Sequence, residues 1–177
     1  MDVTIVPHDP AWAAAFAGEA RAVAAALPGI VVGVHHIGST AIAGILAKPV
    51  LDILCLVTSL AALDGNADRL EALGYVAKGA NGIEGRRFFR KADPAGRRTH
   101  HLHAFEPASR QVQRHLAFRD YMNSHPAKAA AYSALKAGLI AAGAVTREAY
   151  QSGKDAFVDA AAAEALAWSL GTRGAEP

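Results

Sequence analysis

Cysteine is nearly absent. Cys55 is the only one in 177 residues, so no internal disulfide can form and a disulfide-stapled fold is excluded. It lies in an apolar run, where a buried, inert thiol is expected rather than a nucleophile. No apolar run reaches the length a bilayer needs; the richest, Val50 to Leu63, is interrupted by Asp52. Met1-Asp2 leads into no apolar leader segment, so the expected compartment is the cytoplasm, with no membrane partner. Aromatic residues make up only 7% of the chain. Trp12, Phe16, Phe157 and Trp168 are core candidates, not a stacking platform. There is no repeat, no long linker and no block of like charge.

The composition that remains is globular: 52% apolar and 19% charged. The length suits one domain, expected over 1–170, with 171–177 as a flexible tail. Net charge is only +2, but between Glu84 and Arg98 six basic residues face two acids, so that segment carries +4 and the rest sums to −2. A local basic patch suits an anionic partner, and an ordinary solvated hairpin explains it equally well.

Local signals give an ordered set of elements. Asp9-Pro10 starts a helix whose apolar stripe is Trp12, Phe16, Val23 and Leu27. Pro28-Gly29 stops it. A strand is expected over Ile30 to Ile37, then the turn Gly38-Ser39-Thr40 and a short helical segment from Ala41 to Ala47. Val50 to Thr58 reads as a buried strand. Leu60 to Leu73 is helical with a break at Gly65, and Tyr75 to Lys78 is a short strand. A glycine-rich loop, Gly79 to Gly85, precedes a hairpin with arms Arg87 to Lys91 and Arg98 to Phe105 around an Asp93-Pro94-Ala95-Gly96 turn. Three helices follow: Ser109 to Met122, Pro126 to Ala142 and Thr146 to Trp168. A mixed sheet followed by helices is an α/β (α+β) domain.

Two features carry chemistry. At the end of the first strand, Gly38-Ser39-Thr40 allows backbone and hydroxyl groups to approach a phosphate. Thirteen residues after Ser39, Asp52 stands alone in the apolar strand. A carboxylate there is costly unless paired, hydrogen-bonded or metal-bound, and Lys48 is close enough in sequence to be its partner or a phosphate ligand. This arrangement resembles the nucleotidyltransferase superfamily, in which the turn holds a triphosphate and two carboxylates two residues apart bind divalent metal. The second acid would fall at Leu54, and the segment Thr99-His100-His101-Leu102-His103 offers no third. The ordinary magnesium site is therefore not assembled from these positions.

A more specific resemblance covers nearly the whole chain. The blocks His36-Ile37-Gly38-Ser39-Thr40, Ala47-Lys48-Pro49 with Asp52-Ile53, Arg98 to His103, and Phe118-Arg119-Asp120-Tyr121 with His125-Pro126 are similar to the GrpB family. So are Tyr132 with Leu135-Lys136, and Tyr150 with Lys154 and Phe157. The resemblance implies a nucleotidyltransferase-like mixed sheet with helices and a C-terminal helical segment. Some members of that family occur fused to the coenzyme A biosynthetic kinase.

On a strand, His101 and His103 share one face and His100 the other. Two imidazoles with Asp52 suit a zinc-like transition metal better than magnesium, and His36 is a further candidate ligand. Equally, the imidazoles can grip phosphate without metal. The leading expectation is an enzyme or binder of a nucleotide or phosphorylated small molecule. Gly38, Ser39 and Thr40 would hold phosphate, and Lys48, Arg87, Arg98 and Arg119 would neutralise the ligand. Asp52 would be metal ligand or general base, in metal-dependent nucleotidyl or phosphoryl transfer or hydrolysis. A non-catalytic module binding a nucleotide or coenzyme A precursor is the first alternative. An RNA-binding protein using the Arg86 to Arg98 hairpin is the second, disfavoured because the rest of the chain is not basic.

Overall fold

Asp9 begins the first helix: its Oδ1 accepts the Ala11 N–H at 2.9 Å, and α1 runs over Ala11–Ala26. The computed structural model describes residues 3–144 and 146–173. Five strands follow the sequence signals: β1 (Val31–Ile37), β2 (Leu51–Val57), β3 (Tyr75–Ala77), β4 (Arg87–Ala92) and β5 (Arg98–Phe105). They form one sheet in the order β1-β2-β5-β4-β3. β2 and β5 pair in parallel; every other neighbouring pair is antiparallel. The sheet is thus mixed, with β5 at its centre although it is the last strand in the chain.

The helices complete an α/β domain. Between β2 and β3 lie α2 (Leu60–Asp64) and α3 (Ala67–Glu71), with Gly65 between them; Ser59 Oγ accepts the Ala62 N–H to cap α2. After β5 come α4 (Arg110–Ser124), α5 (Pro126–Ala141) and α6 (Arg147–Arg173). Residues 171–173, expected in the tail, continue α6, and 174–177 lie outside the described residues. Among the described residues no helix is long and apolar enough to cross a membrane.

Each face of the sheet buries its own core. Ile53, Cys55 and Val57 of β2 and Leu102 and Ala104 of β5 pack with Val23, Leu27, Leu63 and Leu70 from α1 to α3. The alternate residues Leu54 and Phe105 meet Ile37 and Val112 on the opposite face, toward α4. A third cluster, including Ile42, Ile45, Met122 and Tyr132, joins α4 to α6 with the loop after β1.

That loop differs from the expected helix over Ala41 to Ala47. Only one 3-10 turn forms, Ser39–Ala41. Gly44 then takes φ +75°, a conformation that ends helix. The backbone of the loop finds partners outside itself. Asn123 bonds both Ala43 N and Ala41 O, Ser133 Oγ accepts from Leu46 N, and Ala47 bridges to Val6.

Candidate functional site

Strand register makes the centre of the site. In the parallel β2–β5 pair Asp52 lies beside His101 and Leu54 beside His103. His101 Nδ1 is 3.0 Å from Asp52 Oδ1, and His103 Nε2 is 3.7 Å from the same oxygen. Burial favours the protonated carboxyl, but hydrogen bonds from His101 and His103 outweigh it and hold Asp52 below the ordinary carboxyl range. His101 Nε2 is buried with no hydrogen-bond partner. His100 points through the other face of the sheet toward Glu19, 3.9 Å away, and Tyr75.

The turn packs directly on this carboxylate. Gly38 adopts φ +70°, and a Cβ there would fall 2.9 Å from both Cβ and Cγ of Asp52 and closer still to Oδ2. Only glycine fits, for two independent reasons. Thr40 is buried; its Oγ1 lies 2.9 Å from His36 Nε2. His36 also stacks on Phe16, with ring centroids 4.8 Å apart, and burial pushes it down to about 4.

Between this sheet face and α4 to α6 lies a cleft of about 540 Å³, lined by Gly38, Ser39, Thr40, Asp52, His101 and His103. Lys48, Arg86, Arg114, Arg147 and Lys154 also line it; among the described residues Asp52 is the only carboxylate that does. Burial lowers the pKa of Lys48 and of Lys154. Arg86 is buried beneath the 79–85 loop: its guanidinium donates to the carbonyls of Ala80 and Asn81 and lies 5.0 Å from the Phe88 ring centroid. Behind the turn, Lys136 Nζ donates to Ser39 Oγ at 3.2 Å and to Leu46 O.

Three of the expected anion ligands lie elsewhere. Arg87 faces away from the cleft and forms a two-pronged pair with Asp64, at 2.6 and 2.7 Å. Strand alternation gives the inward position to its neighbour Arg86 instead. Arg98 is exposed at the start of β5, outside the cleft lining. Arg119 is held by Asp120 and donates to the His36 carbonyl, clamping α4 to β1. His36 bonds the turn from behind and does not line the cleft. The basic hairpin is largely engaged internally: Lys91 pairs with Glu19 and Arg97 with Asp93, while Phe88 and Phe89 are both buried.

Sequence periodicity holds a signal for two residues named above only within the family-like blocks. Lys136 falls on one helical stripe with the buried Ala129 and Tyr132, and Lys154 on one with Tyr150 and Ala161. A lysine on an apolar stripe is directed inward.

A two-carboxylate magnesium site does not fit. Leu54, at the second acid's position, is fully buried against Ile37, Phe105 and Val112. Asp52, His101 and His103 converge on one oxygen, Asp52 Oδ1. Among the described residues no group of three or more His, Cys, Asp or Glu side chains is arranged to hold a metal ion.

Known proteins share this arrangement over most of its length. The family model described as GrpB protein matches residues 2–164. The protein YqkA of Bacillus subtilis is 37% identical over 173 residues, 98% of this chain but 50% of its own length. A UPF0157 protein of Pseudomonas aeruginosa is 41% identical over 169 residues, covering 93% of this chain and 68% of that protein. The chain therefore spans about half of the first relative and about two thirds of the second. The glutamate-rich protein GrpB of Alkalihalophilus pseudofirmus is 33% identical over 161 residues, 89% of this chain and 92% of its own. The crystal structure of the conserved protein GrpB from Enterococcus faecalis superposes with a TM-score of 0.89 at 36% identity, over 94% of this chain and 99% of that one. A family model that spans every strand and all but the end of the last helix, joined to a solved fold of this likeness, places the chain in the GrpB family.

Proposed function

We propose that the chain binds a nucleotide or other phosphorylated small molecule in the cleft between β2–β5 and α4 to α6. One observation carries this reading. Among the described residues five cationic side chains line the cleft against a single carboxylate, and that carboxylate already faces two imidazoles. Among the described residues no carboxylate comes within ion-pair distance of Lys48, Arg86 or Lys154. Cations left unpaired in a half-buried cleft are stabilised by an anionic guest. The volume suits a nucleotide-sized ligand. In this reading Ser39 and Thr40 meet a phosphate at the turn, and Lys48, Lys154 and Arg86 neutralise it.

Leu54 favours binding, or chemistry other than two-metal nucleotidyl transfer, and no step is routed through a metal. The Asp52–His101 pair supplies an oriented imidazole at the cleft floor. The pairing of Arg87 with Asp64, Lys91 with Glu19 and Arg97 with Asp93 counts against the RNA reading.

Calorimetric titration with pyrophosphate and with nucleoside triphosphates, at low and high salt, tests the proposal. Binding that weakens with salt and is lost on Lys48→Ala is the expected result. No binding of any phosphorylated compound overturns it. Metal content of protein purified without chelator, with Asp52→Ala and His101→Ala beside it, tests the metal alternative. Near-stoichiometric zinc lost in both variants would restore Asp52, His101 and His103 as ligands.

A further inference from the structure

Lys136 is 1% exposed, and among the described residues no carboxylate comes within ion-pair distance of its ammonium. Its Nζ reaches Ser39 Oγ, the carbonyl of Leu46 and the face of Tyr132, whose ring centroid is 4.3 Å away. A buried, unpaired charge is costly, and a lysine so placed gives up its proton. A neutral amine has two hydrogens and one lone pair. As an ammonium, Nζ donates to Ser39 Oγ. Once that proton is given up, the Leu46 carbonyl and the Tyr132 ring can take the two remaining hydrogens, and the lone pair is then placed to accept from the Ser39 hydroxyl. Lys154 across the cleft adds like charge, and together with burial brings Lys136 down to about 7. Ser39 itself opens to the cleft.

We propose that Ser39 is a nucleophile and Lys136 its general base, and that Ser39 accepts a phosphoryl group from a phosphoanhydride bound in the cleft. The proposal rests on the anion-binding reading for its donor but not for the pair. Ser39 Oγ attacks phosphorus. The Oγ–P bond forms as the bond from phosphorus to its bridging oxygen breaks, and that electron pair leaves with the departing phosphate. The hydroxyl proton passes to Lys136 Nζ, and nothing is oxidised or reduced. Lys48 and Lys154 neutralise the phosphoryl oxygens during transfer.

The test uses diisopropyl fluorophosphate, a neutral probe that does not depend on the cationic lining. Adducts are followed by intact mass and mapped by peptide analysis. Wild type is expected to take one adduct, at Ser39, with a rate that rises with pH through about 7. Ser39→Ala takes none. Lys136→Met, and Lys136→Arg, which keeps the charge without the base, slow labelling by about 100-fold. Circular dichroism and thermal unfolding check each variant, and the wild-type pH profile needs no variant. No adduct at Ser39, a rate flat from about pH 6 to 8.5, or a folded Lys136→Met labelled as fast as wild type would overturn the pair. Slowing of the labelling by pyrophosphate supports both readings. Labelling that pyrophosphate leaves unchanged supports the pair and counts against the anion cleft. Pyrophosphate binding without labelling overturns the pair alone.

Discussion

Replacing Gly38 by alanine separates backbone strain from contact with the carboxylate, because the chain carries its own control. Gly38 and Gly44 have nearly equal positive φ, +70° and +75°, but a Cβ at Gly44 meets nothing within 4 Å while one at Gly38 runs into Asp52. Gly38, at φ +70° and ψ −172°, lies in a region essentially closed to side chains, so alanine there incurs about 1–3 kcal/mol of backbone strain, against about 1–2 kcal/mol for an ordinary positive-φ position. A stiffer unfolded chain offsets roughly 0.4–1 kcal/mol at either site and cancels in the comparison. At Gly38 the new methyl must push Asp52 aside, which breaks its 3.0 Å bond with His101. A charge-assisted hydrogen bond contributes about 1.5–3 kcal/mol. Gly38→Ala should therefore be less stable than Gly44→Ala by at least that amount, or roughly 3–12 °C or more in melting temperature for a chain of this size. Urea unfolding of the two variants reads the difference directly. Calorimetry with pyrophosphate should show binding lost in Gly38→Ala and kept in Gly44→Ala. Equal stabilities with equal pyrophosphate binding would refute the account of the turn.

Leu54→Asp, which restores the second acid of the transferase pattern, should lower stability by about 3 kcal/mol or more because Leu54 is fully buried. It should create no magnesium-dependent turnover of nucleotide, as urea unfolding and a phosphate-release assay would show. Arg86→Ala should weaken pyrophosphate binding by about tenfold or more, whereas Arg87→Ala, which removes only an exposed pair with Asp64, should leave binding unchanged. Stability should fall with acidity over a defined window. Burial holds His36 and His115 near 4 against an ordinary 6.5, so between these values the unfolded chain binds more protons. Urea midpoints should decline from about pH 6.5 toward pH 4, and His115→Asn should flatten part of that slope. Above about pH 7 they should rise again, because Lys136 is held near 7 against an ordinary 10.5. Asp52, whose carboxyl is held low, contributes stability above its unfolded value of about 3.9 and loses it only below that.

Alternation and turn chemistry were legible in the sequence; pairing was not. The lone Asp52 in an apolar strand and the two-residue spacing of His101 and His103 mark one face without any knowledge of neighbours. That this face belongs to adjacent strands depends on β5 entering between β2 and β4, a contact across 49 residues that no local pattern encodes. Parity explains the exchange of Arg87 for Arg86. The basic cluster is plain in the sequence, but which arginine turns inward depends on where β4 begins, and strand ends are the least determined feature of a sequence. Lys136 and Lys154 were hidden by residue type. A lysine in a helix is ordinarily a surface charge, and only the stripe it shares with Tyr132 or Tyr150 points inward.

The central position of β5 also governs how the site can move. Asp52 and the two histidines sit on the two innermost strands that meet there, each hydrogen-bonded on both edges. Opening them requires the sheet itself to separate, so their amides belong to the slowest-exchanging class of the molecule. Any accommodation of a guest therefore falls to the other wall: the glycine-rich 79–85 loop held by Arg86, and the helices that carry Lys136 and Lys154. The cleft has a rigid floor and an adjustable roof, and ligands that differ in size should be told apart at the roof.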